Sequence, residues 1–407
     1  MIIQPRIRGF ICTTAHPVGC AAHIQEQINY VKSKNPVAGG AKKVLVIGSS
    51  TGYGLASRIT AAFGCSAATM GVFFEKPPDD KRMATAGWYN SAAFEAAARK
   101  VGLYVKSFNG DAFSDEMRQQ VCEAIRKDWG QADCVIYSLA SPRRTDPKTG
   151  QLYKSVLKPK GAAYTNKSID FESNKVTTIT LETATEQEVQ DTIRVMGGED
   201  WQLWIEALSS QNLLASKAVT IAYSYIGPDV TTPVYRNGTI GAAKDHLEAT
   251  AHVLDEFMKK QNGRAFVSVN KALVTQSSSA IPFIPLYFVI LMKVMKEKGL
   301  HEDCIHQIYR LFADRLYNNR PFNQIPVDEK GRIRIDDWEM RSDVQEEVAK
   351  IWTTISDEDI LKVSDVKGYN SDFLKLFGFG LAGVDYNADV DPQVPIPSIE
   401  TSSASLK

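Results

Sequence analysis

The residues that most constrain this chain run Val44-Leu45-Val46-Ile47 into Gly48-Ser49-Ser50-Thr51-Gly52-Tyr53-Gly54 and on into Leu55-Ala56-Ser57-Arg58-Ile59. Four aliphatic residues predict a buried strand, the glycines a tight turn, and the following stretch a helix. A strand that passes through a glycine turn into a helix opens a βαβ unit, which belongs on a parallel sheet with helices on both faces. Such a turn also lets the backbone approach a pyrophosphate closely, with the free N–H groups of the helix start aimed at it. A tight turn of purely structural purpose reads the same way, so the case rests on its surroundings.

Those surroundings repeat the pattern. Apolar or β-branched runs recur at Thr69 to Phe74, Tyr104 to Phe108, Cys134 to Leu139, Val219 to Tyr225 and Ala265 to Val269, separated by stretches of helical periodicity. The expected fold class is α/β, a doubly wound parallel sheet within one large domain of 407 residues. Roughly 80 residues separate the fourth and fifth runs, more than a crossover needs, so residues 141–215 are expected to form an inserted lobe. Within it Lys175 to Leu181 reads as a strand, and Glu186 to Leu208 as helical with an interruption at Gly197-Gly198. Residues 276–385 are expected to add covering helices, at Leu286 to Lys298, Asp303 to Tyr317 and Asp343 to Ile355. Residues 386–407, with several Pro and Ser, are expected to trail over the surface as a tail.

Lysine plus arginine equals aspartate plus glutamate, 47 against 47, which argues against a polyanion binder, and neither a basic stripe nor aromatic interleaving suggests nucleic acid. Six cysteines lie scattered without a CxxC pair, and Met1-Ile2-Ile3-Gln4-Pro5-Arg6 has no apolar signal core, so a reduced, cytoplasmic protein is expected. The most apolar run, Ile281 to Met292, is too short to span a bilayer, which takes ~20 residues.

Glu75 ends the second run, 21 positions after Gly54, where a nucleotide-binding sheet needs a carboxylate for the adenosine ribose hydroxyls. A carboxylate there repels a 2′-phosphate and favours NADH over NADPH, although Lys76 could soften that preference. Asp111 with Ala112 follows the third run as an adenine contact, and Leu139-Ala140 follows the fourth; an N-cap and plain core are the bland readings of Asp111 and Leu139. Leu273, Val274 and Thr275 close the sixth run, where backbone groups could bind a nicotinamide carboxamide. Gly48-Ser49-Ser50-Thr51-Gly52 also matches GxSxG, the nucleophile elbow of hydrolases, but only 43 residues precede Val44 and the acid at 75 has no role in that chemistry.

Tyr223, Tyr225, Tyr235 and Lys244 follow the fifth run. A phenol, with an unperturbed pKa of about 10, becomes a useful proton donor when a nearby ammonium stabilises its phenolate. Nine residues of helix turn through ~900°, so Tyr235 and Lys244 can meet only if Tyr235 lies outside the helix carrying Lys244; Gly238 and Gly241 supply the break. Of fifteen tyrosines only Tyr30 has a Lys four positions on, and it lies upstream of the glycine turn. Aromatic packing beside a glycine-rich loop is the plain alternative. Two metal-like patterns, His301-Glu302-Asp303-Cys304-Ile305-His306 and Cys12/His16/Cys20, lack the spacing of zinc sites, and no metal is expected.

Taken together these residues closely resemble the FabV type of NADH-dependent enoyl reductase, which includes trans-2-enoyl-CoA reductases and bacterial enoyl-acyl-carrier-protein reductases. The likeness is carried by Arg8-Gly9-Phe10-Ile11-Cys12, Thr51-Gly52-Tyr53-Gly54-Leu55-Ala56, Gly87-Trp88-Tyr89-Asn90, Gly110-Asp111-Ala112-Phe113-Ser114, Tyr137-Ser138-Leu139-Ala140, Val195 to Trp201, the Tyr235-x8-Lys244 pair and Lys293 to Lys298. It implies an enlarged short-chain dehydrogenase/reductase-like Rossmann fold, a monomer, NADH as cofactor, and reduction of a trans-2,3 double bond in a fatty acyl thioester carried by acyl carrier protein or coenzyme A. By the same resemblance Tyr235 is the proton donor, Tyr225 binds substrate and Lys244 binds cofactor. Gly48, Ser49, Ser50, Thr51, Gly52, Tyr53, Phe74, Glu75, Asp111, Ala112, Leu139, Ala140, Leu273, Val274 and Thr275 are expected to line the NADH. A carbonyl-reducing short-chain dehydrogenase and a non-catalytic NAD-binding module are the alternatives.

Overall fold

A computed structural model describes residues 1–8, 11–79, 82–281 and 283–399. Gly9 and Phe10 of the N-terminal motif, and the tail beyond 399, lie outside the described residues. In chain order a two-stranded ribbon, β1 (Ile7–Arg8) and β2 (Ile11–Cys12), precedes helix α1 (Pro17–Lys32). Then come β3 (Lys43–Ile47), α2 (Gly52–Gly64), β4 (Ala68–Phe73), α3 (Ala86–Lys100), β5 (Val105–Asn109), α4 (Asp115–Asp128) and β6 (Ala132–Tyr137). Two antiparallel hairpins follow, β7 (Arg143–Thr145) with β8 (Leu152–Lys154) and β9 (Tyr164–Asp170) with β10 (Lys175–Leu181), and then α5 (Glu186–Met196) and α6 (Glu199–Ser210). The chain returns through β11 (Leu214–Ser224), α7 (Thr239–Lys259) and β12 (Arg264–Val269). It finishes with α8 (Ile284–Glu297), α9 (Cys304–Arg310), the edge strand β13 (Ile333–Arg334), α10 (Ser342–Thr354), α11 (Ile360–Val363) and α12 (Val366–Lys375).

Seven parallel strands form the central sheet in the order β13-β12-β11-β6-β3-β4-β5. The order reverses between β3 and β6, and at such a switch point the connections leave on opposite sides and open a crevice at the carboxyl ends of the strands. Alternation along β3 explains the two layers of helices. Val44 and Val46 pack with α1, α2, α3 and α9, while Leu45 and Ile47 pack with α4, α6 and α7. A third core forms around α8, whose apolar run is buried on all sides by α10, α12 and the start of α3. No helix among the described residues is long and apolar enough to cross a membrane.

The structure departs from the sequence reading in three places. The fifth run starts earlier than Val219: β11 begins at Leu214, and its register shifts before Val219, where Lys217 takes a φ of +66°. The extra residues are absorbed as a bulge. The helix expected from Asp303 to Tyr317 is α-helical only to Arg310 and then widens to a π-helix over Leu311–Leu316. The segment expected to trail over the surface is held down as far as Ile399. Trp88 Nε1 donates to Val394 O at 2.8 Å, Ile396 is buried, and Ser398 donates through N and Oγ to the carboxylate of Glu95 at 3.0 and 2.5 Å. A buried carboxylate needs donors, and the tail supplies them.

Candidate active site

At the glycine turn the backbone itself is the functional group. Gly48 takes a φ of +87°, and a Cβ there would lie 2.2 Å from Ser138 O; at Gly54 a Cβ would lie 1.8 Å from Gly48 O. Only glycine allows both approaches. Thr51 is the N-cap of α2, and the first intrahelical bond runs from Leu55 N to Thr51 O at 3.1 Å. The amides of Gly52, Tyr53 and Gly54 therefore have no acceptor within the helix, which fits them to a pyrophosphate. Gly48 N and Ser49 N, by contrast, both donate to Val72 O, at 2.9 and 3.0 Å, and hold the turn on the sheet.

The other predicted cofactor residues follow in order along the crevice. Glu75, just past β4, accepts from Ser50 Oγ at 2.7 Å and Thr85 Oγ1 at 2.5 Å. Burial raises its carboxyl pKa, and the two hydroxyl donors pull it back. Gly87 makes room for it, since a Cβ there would sit 2.0 Å from Glu75 Oε1. The hydroxyl of Ser50, the centre of the GxSxG match, is thus committed to a carboxylate. Phe74 is 78% exposed beside Glu75, an unusual position for an aromatic ring and a ready stacking surface for a base. Past β5, Asp111 accepts from Phe113 N at 2.9 Å and Ala112 O accepts from Trp204 Nε1 at 3.1 Å. Leu139 and Ala140 follow β6, whose end is tied to β3 by Ser138 N donating to Ile47 O at 2.8 Å.

The phenols gather at the carboxyl end of β11. The rings of Tyr225 and Tyr235 meet edge to face with centroids 4.9 Å apart. Helix α7 is N-capped by Gly238, so Tyr235 stands in the turn before it, outside the helix that carries Lys244, and a Cβ at Gly241 would lie 1.8 Å from Arg236 O. The Lys244 ammonium donates to Tyr223 O at 3.1 Å, and burial lowers its pKa to about 8. No hydrogen bond joins Lys244 to Tyr235 among the described residues. Burial raises the Tyr235 phenol, and the cation that opposes this is Arg236. Tyr223 shares a hydrogen bond of 2.6 Å with Ser57 on α2, and Tyr53 donates to Lys271 O at 2.8 Å, so the glycine turn and the phenol cluster are cross-linked.

Leu273, Val274 and Thr275 leave β12 through a tightly held segment. Lys271 N donates to Gln307 Oε1 at 2.9 Å, the Lys271 ammonium to Ala272 O at 2.9 Å, and Ala272 N to Glu339 Oε2 at 2.7 Å. Glu339 is fully buried; desolvation raises its pKa and Lys271 opposes that. Sequence reasoning missed Glu339, because Asp336-Asp337-Trp338-Glu339 reads as a solvated acidic run. Lys271 did leave a signal, a lone charge inside an apolar run. A cavity of about 240 Å³ joins Thr51 and Gly52 to Leu273 and Val274 and to Phe288 and Met292 of α8. His16, one of the metal-like residues, is the N-cap of α1 and accepts from Gly19 N at 3.1 Å.

Comparison with known proteins gives the same picture over nearly the whole chain. Residues 2–80 match the NAD(P)H binding domain of trans-2-enoyl-CoA reductase, residues 82–317 the trans-2-enoyl-CoA reductase catalytic region, and residues 327–390 an enoyl reductase FAD binding domain. That last stretch holds a two-residue strand and helices α10 to α12, without a glycine turn between strand and helix, so it does not repeat the cradle of residues 43–64. An enoyl-acyl-carrier-protein reductase (NADH) of Opitutus terrae is 62% identical over 97% of this chain and the whole of that protein. The protein of the same name in Flavobacterium johnsoniae is 60% identical over 98% of this chain and the whole of its own length. The crystal structure of Treponema denticola trans-2-enoyl-CoA reductase in complex with NAD superposes with a TM-score of 0.92 at 51% identity, covering 96% of this chain and 98% of that one. With a nucleotide cradle, a phenol cluster and full-length relatives agreeing, this chain belongs to the trans-2-enoyl-CoA reductase family.

Proposed function

We propose that the crevice reduces the trans-2,3 double bond of a fatty enoyl thioester, as a step of fatty acid synthesis. The observation that supports this reading is the pair of phenols, 4.9 Å apart past the carboxyl end of β11, in the same parallel sheet whose β3 and β4 carry the glycine turn and Glu75 at their carboxyl ends. NADH supplies the hydride, which goes to the β-carbon. As charge moves onto the thioester oxygen, a hydroxyl aimed there stabilises it by ~3–4 kcal/mol, and Tyr235 then gives its proton to the α-carbon to complete the saturated acyl thioester. Lys244 holds the cofactor ribose, and Arg236, the cation that acts on the Tyr235 phenol, eases loss of its proton. Glu75 accepts from the adenosine ribose, with Phe74, Asp111 and Ala112 around the base. Gly48 to Tyr53 cradle the pyrophosphate, while Leu139, Ala140 and Leu273 to Thr275 flank the nicotinamide.

Relatives named for acyl carrier protein and a relative named for coenzyme A support a crevice that reads the phosphopantetheine arm common to both carriers. We further propose a cytoplasmic monomer. The decisive assay follows NADH absorbance with crotonyl-CoA and, separately, with a β-ketoacyl thioester: the enoyl substrate is consumed and the keto substrate is not. Preference for the keto substrate would instead assign a carbonyl reductase. Comparing kcat/KM for one enoyl chain on the two carriers identifies the carrier.

A further inference from the structure

Tyr225 does not present its proton freely to the crevice. Its hydroxyl donates to Glu339 Oε1 at 3.1 Å, and the same oxygen accepts from Tyr287 of α8 at 2.7 Å. The other carboxylate oxygen accepts from Ala272 N, directly ahead of Leu273 to Thr275. Gln345 of α10 completes the group, donating to Tyr287 Oη at 3.2 Å and to Glu339 O at 2.7 Å. One buried carboxylate therefore grips the substrate-side phenol with one oxygen and the backbone entering the cofactor segment with the other. It comes from the C-terminal third of the chain, beyond β13.

We propose that Glu339 is a positioning residue of the reductase, setting Tyr225 and the backbone at 272 in register with each other. The inference rests on the enoyl reductase reading. A tyrosine hydroxyl has one proton, and with that proton turned to Glu339 the oxygen shows only lone pairs to the crevice. Tyr225 then serves as an oriented acceptor and wall, and Tyr235 is left as the hydroxyl that faces the thioester oxygen. Glutamine at 339 keeps the shape but replaces one acceptor oxygen with a donor, so it cannot accept from both Ala272 N–H and the two phenols.

The test is a pair of double-mutant cycles on kcat/KM for crotonyl-CoA at saturating NADH, Glu339→Gln with Tyr225→Phe and Tyr287→Phe with Tyr225→Phe. If Glu339 acts through Tyr225, Glu339→Gln costs about tenfold in the wild-type background and about twofold or less once Tyr225 is phenylalanine. A merely structural role predicts losses that multiply in the double variant, and multiplying losses in both cycles overturn the proposal. Should Glu339→Gln fail to fold, the Tyr287→Phe cycle decides alone, since that change removes one hydroxyl from a buried apolar helix. Wild-type turnover separates the two failures: no consumption of crotonyl-CoA defeats the enoyl reductase reading itself, whereas normal turnover with additive cycles defeats only the role of Glu339.

Discussion

Tyr235 and Lys244 are nine positions apart, the first in the turn before α7 and the second on that helix; Lys244 reaches Tyr223 O while Tyr235 packs on the ring of Tyr225. Removing the Tyr235 hydroxyl should leave the ring and its contact with Tyr225 in place. Tyr235→Phe is expected to lower kcat by about 10²–10³-fold, the worth of one donor at a developing oxyanion, with NADH affinity unchanged in a fluorescence titration. A variant with near-normal kcat removes Tyr235 from the mechanism. Lys244 gives a pH dependence. Its ammonium, lowered to about 8 by burial, is charged below that pH and neutral above it, and in the proposed mechanism the charged form is the one that holds the ribose hydroxyls. Thus kcat/KM for NADH should fall as pH rises through about 8, where an unburied lysine would place the fall near 10.4. Lys244→Met should be slow throughout and lack that limb.

Among the elements, the strand, turn and helix of residues 43–64 were legible because their conformation is local. Aliphatic residues, positive-φ glycines and an N-cap each act within a few positions of themselves. Gly54 is the exception in kind, since its requirement comes from Gly48 across the turn. Gly54→Ala must push α2 away from that carbonyl, at a cost of about 1–3 kcal/mol in urea denaturation and about tenfold in NADH affinity. Wild-type affinity in this variant would mean that the cradle does not depend on the close approach. Elements shaped by distant contacts were less legible. The bulge in β11 and the π-turn after α9 leave no mark in periodicity, because both are accommodations to neighbours that periodicity does not know.

The whole molecule adds a third core to the two faces of the sheet, and the C-terminal segment closes over it. Ile396 is 1% exposed and packs in the cluster with Trp88, Tyr89 and α8, while Ser398 Oγ accepts from Ser107 N at 2.7 Å on the edge strand β5. The segment as far as Ile399 is therefore structural, and Ile396→Ala should cost about 2–4 kcal/mol of unfolding free energy. A change below about 0.5 kcal/mol, the range of a surface position, would return the tail to the surface. The sequence misread this region because proline and serine signal irregular backbone, and irregular backbone can be buried wherever its polar groups find partners. Here the partners are Trp88, Tyr89 and Glu95.

By itself the sequence determined the parallel α/β fold class, the glycine turn between β3 and α2, the order of the candidate cofactor residues along the strand ends and the placement of Tyr235 outside the helix that carries Lys244. Each of these follows from short-range stereochemistry or from strand order. The tertiary structure alone decided that Lys244 reaches Tyr223 O, that the phenol of Tyr225 is shared with a carboxylate 114 residues away, and that the segment from Pro392 to Ser398 is clamped. Those outcomes are set by which buried polar groups meet inside a low-dielectric core, where each must find a partner, and chain spacing carries no record of that pairing.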